Sequence, residues 1–450
     1  MRAKLPICAA GVLCAGLLVL PAAAAAGGYV PGEVIVKYER GATAAERADV
    51  QAGAGVGASS AVGGGARTLQ VLDGEGVGET VAELRRDPRV ASAVPNYLAR
   101  ASAFLPNDPG DGTAGEWQAL QWNFSGPAGV NAPDAWELAR LYGAPGGRGV
   151  VVAVIDSGLA YRTRGRFRRA PDIRPRRVAR GWDFVEGDRR PDDENGHGTH
   201  VAGTIAQQTN NGAGLTGLAY GAKIMPLRVL DAIGEGDAAD IARAIRFAVR
   251  RGADVINLSL EFDGGQVRSS SQIPDVVGAL RYARRRGVVV VGASGNQAGR
   301  TVAYPARARH VISVGATTEH GCGAVYSNTG SGLDLVAPGG GDDYTLSGAQ
   351  PDGPRDAHCS GGGGRDIFQQ TFTTGLRRFG FPSGYEGTSM AAPHVSAAAA
   401  LVIATKRLGE DPSPVEVERR LEQTARDLGA EGADPRYGAG LLDAAAALGP

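Results

Sequence analysis

GVVVAVIDSG, Gly149 to Gly158, is the stretch on which the reading of the fold turns. Its apolar residues run unbroken to Ile155 and stop at an acid, Asp156. An unbroken run of β-branched residues suits a strand buried on both faces, as in a parallel sheet covered by helices. ADVINLSL (Ala253–Leu260) and GVVVVGASGN (Gly287–Asn296) repeat the pattern. IARAIRFAVRRG (Ile241–Gly252) and IPDVVGALRYARRRG (Ile273–Gly287) carry apolar residues at helical spacing, basic last turns and a closing glycine. Strands alternating with helices predict a doubly wound parallel-sheet α/β domain.

The N-terminal side reads differently. Arg2 and Lys4, an apolar core from Leu5 to Leu20 and small residues from Ala22 to Ala26 predict a cleaved signal peptide over 1–26. The apolar run is shorter than the ~20 residues a membrane span needs, so no anchor is expected. Secretion would place Cys322 and Cys359 in an oxidising compartment, where two cysteines most simply form one disulfide. EVIVKY (Glu33–Tyr38) and RTLQVLDG (Arg67–Gly74) read as strands, with helical spacing in TAAERADVQAG and GETVAELRR. A β-α-β-β-α-β order predicts a small α+β, ferredoxin-like module. Residues 101–130, rich in Gly, Pro and Asn, read as a linker or exposed start segment. The Arg-rich stretch 162–180 and the Gly-rich stretch 342–370 read as solvated surface loops, the first also open to nicking or to docking acidic surfaces.

Lys+Arg and Asp+Glu are both 47, which leaves no global field to draw nucleic acid or an anionic membrane. Six histidines are present but no HExxH, no zinc-type cysteine spacing and no phosphate-binding G-x-x-x-x-G-K-[ST]. Ser389 lies in EGTSMAAPHV (Glu386–Val395). A serine hydrolase of the α/β-hydrolase type needs an acid and then a histidine after its serine, and only His394 follows. The order acid, histidine, serine remains. Asp156 ends a buried strand, where an open parallel sheet places its crevice. His197, in ENGHGTHVAGTIA, and Ser389 each stand at a Gly-bounded entrance to a helix. Ser389 would donate to His197 while Asp156 holds the opposite ring N–H. Asn296, at another strand end, would join the Ser389 N–H in binding an oxyanion. His200 and His394 read as structural.

VAVIDSG, ENGHGTHVAGTIA, VINLSL, GASGN and EGTSMAAPHV, in this order, resemble the signature segments of the subtilisin-like (S8) serine proteases. The resemblance runs from about Val130 to YGAGLLDAAAAL (Tyr437–Leu448). It implies a secreted endopeptidase acting on polypeptides through an acyl-enzyme, without a catalytic cofactor. It further implies that residues 27–105 are an inhibitory propeptide cut between Arg100 and Asp108, and that 106–450 is the peptidase domain. A monomer is expected. Relatives bind substrate as an added strand beside segments matching Leu258, Ser259, Leu260 and Glu261 on one side and Ala293, Ser294 and Gly295 on the other. Glu261 stands where relatives commonly carry glycine, which would favour basic substrate side chains. QTNNGAGLTG resembles a calcium loop, with oxygen ligands implied at Asn211, Ala213 and Leu215 and Asp172 as the candidate acid.

Overall fold

The computed structural model describes residues 29–72, 76–97, 104–112, 116–344, 358–359 and 361–449. The expected signal peptide and the first part of the expected cut window lie outside them. The chain forms two compact units, dividing between Ser102 and Ala103.

The first unit runs β1 (Tyr29–Tyr38), α1 (Ala44–Gly53), β2 (Val56–Gly63), β3 (Ala66–Val71), α2 (Val77–Leu84) and β4 (Val90–Tyr97). Its antiparallel sheet has the order β2-β3-β1-β4, the ferredoxin-like arrangement. Val34, Val36 and Leu69 from the sheet meet Val50, Val81 and Leu84 from the helices in one core. β2 gave no signal of its own, because GASSAVG offers no alternation of apolar side chains.

In the second unit, α3 (Trp117–Leu120) and α4 (Ala132–Leu141) precede β5 (Val151–Asp156), β6 (Trp182–Asp183), α5 (His197–Ala206), β7 (Lys223–Arg228), α6 (Ala238–Arg250) and β8 (Val255–Leu258). Then follow α7 (Pro274–Arg285), β9 (Val289–Ala293), β10 (Ile312–Thr317), β11 (Leu335–Pro338), the hairpin β12 (Thr371–Thr374) and β13 (Arg378–Gly380), α8 (Thr388–Thr405), α9 (Pro414–Gln423) and α10 (Ala444–Leu448). Seven parallel strands order as β11-β10-β9-β8-β5-β7-β6. After β5 the chain builds β6 and β7 on one side, then crosses to β8 on the other. The C-terminal ends of β5 and β8 therefore flank a switch point, where such sheets form their crevice. One face of the sheet packs on α6 and α7, the other on α5 and α8. Among the described residues α8 alone is long and apolar enough to cross a membrane, yet nearly all its side chains are buried in this core.

The described part of the expected linker contributes to the core. Trp117 and Phe124 are fully buried, and both pack edge-on against Trp136 of α4. Phe104 also packs against Trp136, and the second compact unit begins at Ala103. Few, large aromatics hold this segment, and its Gly and Pro content concealed them. The other two presumed solvated loops are also anchored. Arg162 and Arg164 pair with Asp192, and Arg166 with Glu194. Ile367 and Gln369 are fully buried. Cys322 and Cys359 form a disulfide that ties the Gly-rich stretch to the turn after β10.

Candidate active site

β5 delivers Asp156 to the crevice with its side chain fully buried. One oxygen, Oδ1, accepts from the Ser157 N–H at 2.7 Å and meets His197 Nδ1 at 2.8 Å. An acceptor on Nδ1 fixes the tautomer with its proton there, leaving Nε2 as the free base. Gly198 allows this approach: a Cβ there would stand 3.0 Å from the Gly158 N and 3.1 Å from Asp156 Oδ1.

The start of α5 is held by a second buried acid. Asp193 accepts from the N–H groups of Asn195, Gly196 and Thr199 and from the hydroxyls of Ser157 and Thr199. Ser157 Oγ in turn accepts from the Gly198 N–H at 2.9 Å. Burial would push the His197 pKa down, but the charge and hydrogen bond of Asp156, with Asp193 behind, outweigh it and raise the pKa.

The serine side is built from neutral groups. Ser389 is the second residue of α8, so its N–H has no acceptor within the helix and points outward at the positive end of the helix dipole. Pro393, four residues on, cannot donate to the Ser389 carbonyl. Ser259 Oγ supplies that bond at 2.7 Å, and is itself held through Asn257 by Ser396. The Ser389 hydroxyl donates back to the Ser259 carbonyl at 3.2 Å. This corrects the expected bond to His197: the reciprocal pair between strand end and helix start is formed instead. A rotation about Cα–Cβ is what would turn the hydroxyl to the ring, and such bonds are often unmade before substrate binds.

Asn296 is aimed by Thr388. Its Oδ1 accepts from both the Thr388 N–H and hydroxyl at 2.9 Å, and Nδ2 stands beside Gly387. His197, Ser389, Ser259, Leu260 and Glu261 line one cavity of about 550 Å³.

A polarised imidazole and a helix-start hydroxyl share one cavity, and acyl transfer needs groups of these kinds. A model of the "Subtilase family" matches residues 147–440, and one of the "Fervidolysin N-terminal prodomain" matches residues 20–96. The chain belongs to the subtilase family. It is thus a subtilisin-type serine protease with an N-terminal prodomain. This subtilase is 34% identical over 412 residues to a thermophilic serine proteinase of Bacillus sp. (strain AK1), covering 92% of this chain and 86% of that one. It is 36% identical to Subtilisin Savinase of Lederbergia lenta, over 73% of this chain and 99% of the other. Among solved structures, a protease from Pseudoalteromonas arctica PAMC 21717 aligns with a TM-score of 0.58 and 31% identity, over 77% of this chain and 99% of that one.

Other expected site residues sort by orientation. Leu258, Ala293 and Ser294 are fully buried or nearly so, and Ser294 Oγ donates to the Asn328 carbonyl, so this part of the wall can offer a substrate only main chain. Glu261 turns inward. Its Oε1 accepts from the Asn296 N–H at 3.3 Å. His200 is buried, stacked on Tyr385 at 4.2 Å, and burial takes its pKa down to about 3. His394 donates from Nδ1 to the Met390 carbonyl, accepts from Asn123, and is driven by burial to about 4. Both are neutral packing groups.

The loop resembling a calcium site gathers more acid than the sequence reading assigned. Asp172 accepts from Asn211 Nδ2 at 2.7 Å and Gln207 Nε2 at 2.6 Å, and burial raises its pKa to about 7. Asp108, unsuspected, is fully buried and accepts from the N–H groups of Asn210 and Asn211. Asp193 and Thr388 were missed as well. Asp193 directly precedes ENGHGTHVAGTIA and Thr388 lies within EGTSMAAPHV, which is the signal that could have found these two.

Proposed function

We propose that this subtilase is a secreted endopeptidase that uses Asp156, His197 and Ser389 as its triad. His197 takes the Ser389 proton as the hydroxyl attacks the scissile carbonyl, and Asp156 stabilises the imidazolium that forms. Asn296 Nδ2 and the Ser389 N–H receive the oxyanion. His197 then protonates the leaving amine, and water resolves the acyl-enzyme. The observation that carries this reading is the 2.8 Å contact of a buried carboxylate with His197 Nδ1, opening on the cavity that Ser389 shares. Casein hydrolysis by the wild type, abolished in Ser389→Ala, is the expected result. Full activity in the variant would refute it.

The leader-like N-terminus supports secretion, and one relative is named an extracellular protease. The matched prodomain supports a precursor in which residues 27–105 inhibit the enzyme until a cut between Arg100 and Asp108. Soluble, monomeric action on polypeptides without a membrane anchor completes the reading.

We further propose a structural calcium ion. Asp108 and Asp172 are buried carboxylates, neither pairs with a Lys or Arg among the described residues, and Asn211 lies between them in contact. With the carbonyls of Ala213 and Leu215 this all-oxygen set fits a hard cation. Calcium there would neutralise the paired acids and clamp the loop after α5. A chelator should lower the melting temperature, and an unchanged value would count against the ion.

A further inference from the structure

Asn296 Nδ2 and the Ser389 N–H, the two groups proposed to receive the oxyanion, stand against one glycine. A Cβ on Gly387 would lie 3.4 Å from Asn296 Nδ2 and 3.7 Å from the Ser389 nitrogen. Gly387 has φ +146° and ψ 162°, a backbone that residues with a Cβ rarely adopt. Such a conformation persists only where its surroundings hold it. The Gly387 N–H is shared between two acceptors, the Gly339 carbonyl at 3.0 Å and the Tyr326 hydroxyl at 2.9 Å.

Tyr326, in the stretch between β10 and β11, also holds the other segment. Ala298, two residues past Asn296, has φ +53°, a left-handed conformation that is costly for a residue with a Cβ. Its N–H donates to the Tyr326 carbonyl at 2.7 Å. One residue thus bonds through its carbonyl to the segment carrying Asn296 and through its hydroxyl to the segment carrying Ser389. The hydroxyl donates its own proton to the Gly340 carbonyl at 2.8 Å, which leaves a lone pair for the Gly387 N–H. Burial holds the phenol pKa well above its ordinary value near 10, and Glu386 and Asp366 add to the rise against the bond from Gly387. The hydroxyl therefore keeps its proton wherever His197 can serve as a base.

Gly387 leads directly into Thr388, whose N–H and hydroxyl hold Asn296 Oδ1 and whose hydroxyl also accepts from the Gly295 N–H at 3.1 Å. We propose that Tyr326 is a positioning residue for the reaction, its hydroxyl fixing Gly387 so that Thr388 aims the Asn296 amide. This deepens, and rests on, the peptidase reading above.

Tyr326→Phe keeps the ring in its packing and the carbonyl for Ala298, and removes only the hydroxyl. Its kcat on a peptide substrate should fall by about 3- to 10-fold, the worth of one neutral hydrogen bond, with KM changed by less than about twofold. The pH midpoint set by His197 should not move. The competing role for Tyr326 is a strut that stiffens the fold without reference to Asn296. A strut would lower kcat by the same factor whether Asn296 is present or replaced by Ala. A residue acting through Asn296 should lower kcat by less than about twofold in the Asn296→Ala background. An unchanged kcat in Tyr326→Phe, a rise in KM at unchanged kcat, or an equal loss in the two backgrounds would overturn the proposal. Full kcat in Asn296→Ala alone would overturn the oxyanion reading instead, and this proposal with it.

Discussion

The two halves of the cleft are built by opposite means. Around His197 the supporting groups are carboxylates: Asp156 against the ring, and Asp193 capping the helix that carries it. Around Ser389 they are hydroxyls, amides and helix N–H groups: Thr388, Asn296, Ser259, Asn257 and Ser396. The difference follows the charge that each half must meet. In the proposed mechanism an imidazolium forms on one side, and fixed anions would stabilise it. In the same mechanism an oxyanion forms on the other, where a carboxylate would repel it and oriented dipoles would not. Glu261 stands at the edge of the neutral half, where its Oε1 accepts from the Asn296 N–H.

The comparison can be broken most severely on the anionic side. Asp156→Asn keeps the size of the side chain and removes the charge. Its kcat on a peptide substrate should fall by about 10⁴-fold, the loss known for triad acids of serine proteases. The pH profile should move with it. In the wild type, activity should rise with pH as His197 loses its proton, with a midpoint above the ordinary imidazole value near 6.5. In Asp156→Asn the midpoint should drop, because the interaction that raises it is gone. A midpoint that stays in place would show that Asp156 does not face the working histidine.

Substitutions on the neutral side should cost less and leave the pH midpoint alone. Asn296→Ala should lower kcat by about 10²–10³-fold, the range known for an oxyanion-hole asparagine of a subtilisin. Thr388→Val should lower it by only about tenfold, since the Thr388 N–H still holds Asn296 Oδ1 after the hydroxyl is lost. Equal losses in the two variants would mean that Thr388 does more than aim the amide.

The smallest expected effect is on stability rather than catalysis. His200 and His394 are held neutral in the fold, at about 3 and about 4, against an ordinary value near 6.5. The unfolded chain therefore binds more protons between these values, so stability is full above about pH 6.5 and falls as the pH drops towards 4. Denaturant midpoints measured across that window should decline. A flat profile would contradict the neutral packing role.

How much of this was legible depended on how local each signal was. β5, β8 and β9 announce themselves by unbroken apolar runs, because both their faces are buried. β6 is only two residues long and joins the sheet through β7. Trp117 and Phe124, within the stretch read as a linker, are drawn into the core by Trp136, a residue beyond its end. At the site, Asp156, His197, Ser389 and Asn296 stood out because each ends a strand or opens a helix next to glycine. The residues that hold them did not, because their partners are remote in sequence. Thr388 meets Asn296 across 92 positions, and Asp108 meets Asn210 across 102. The resting partner of the Ser389 hydroxyl, the Ser259 carbonyl, was hidden for a related reason. Pro393 frees the Ser389 carbonyl for Ser259, and the hydroxyl completes that pair.

The central claim is that Ser389 is a nucleophile made reactive by the His197 half of the cleft. Labelling with a serine-reactive fluorophosphonate tests both parts together. The account predicts covalent labelling of the wild type at Ser389, no labelling of Ser389→Ala, and strongly slowed labelling of Asp156→Asn. Labelling that persists in Ser389→Ala, or is as fast in Asp156→Asn as in the wild type, would contradict it.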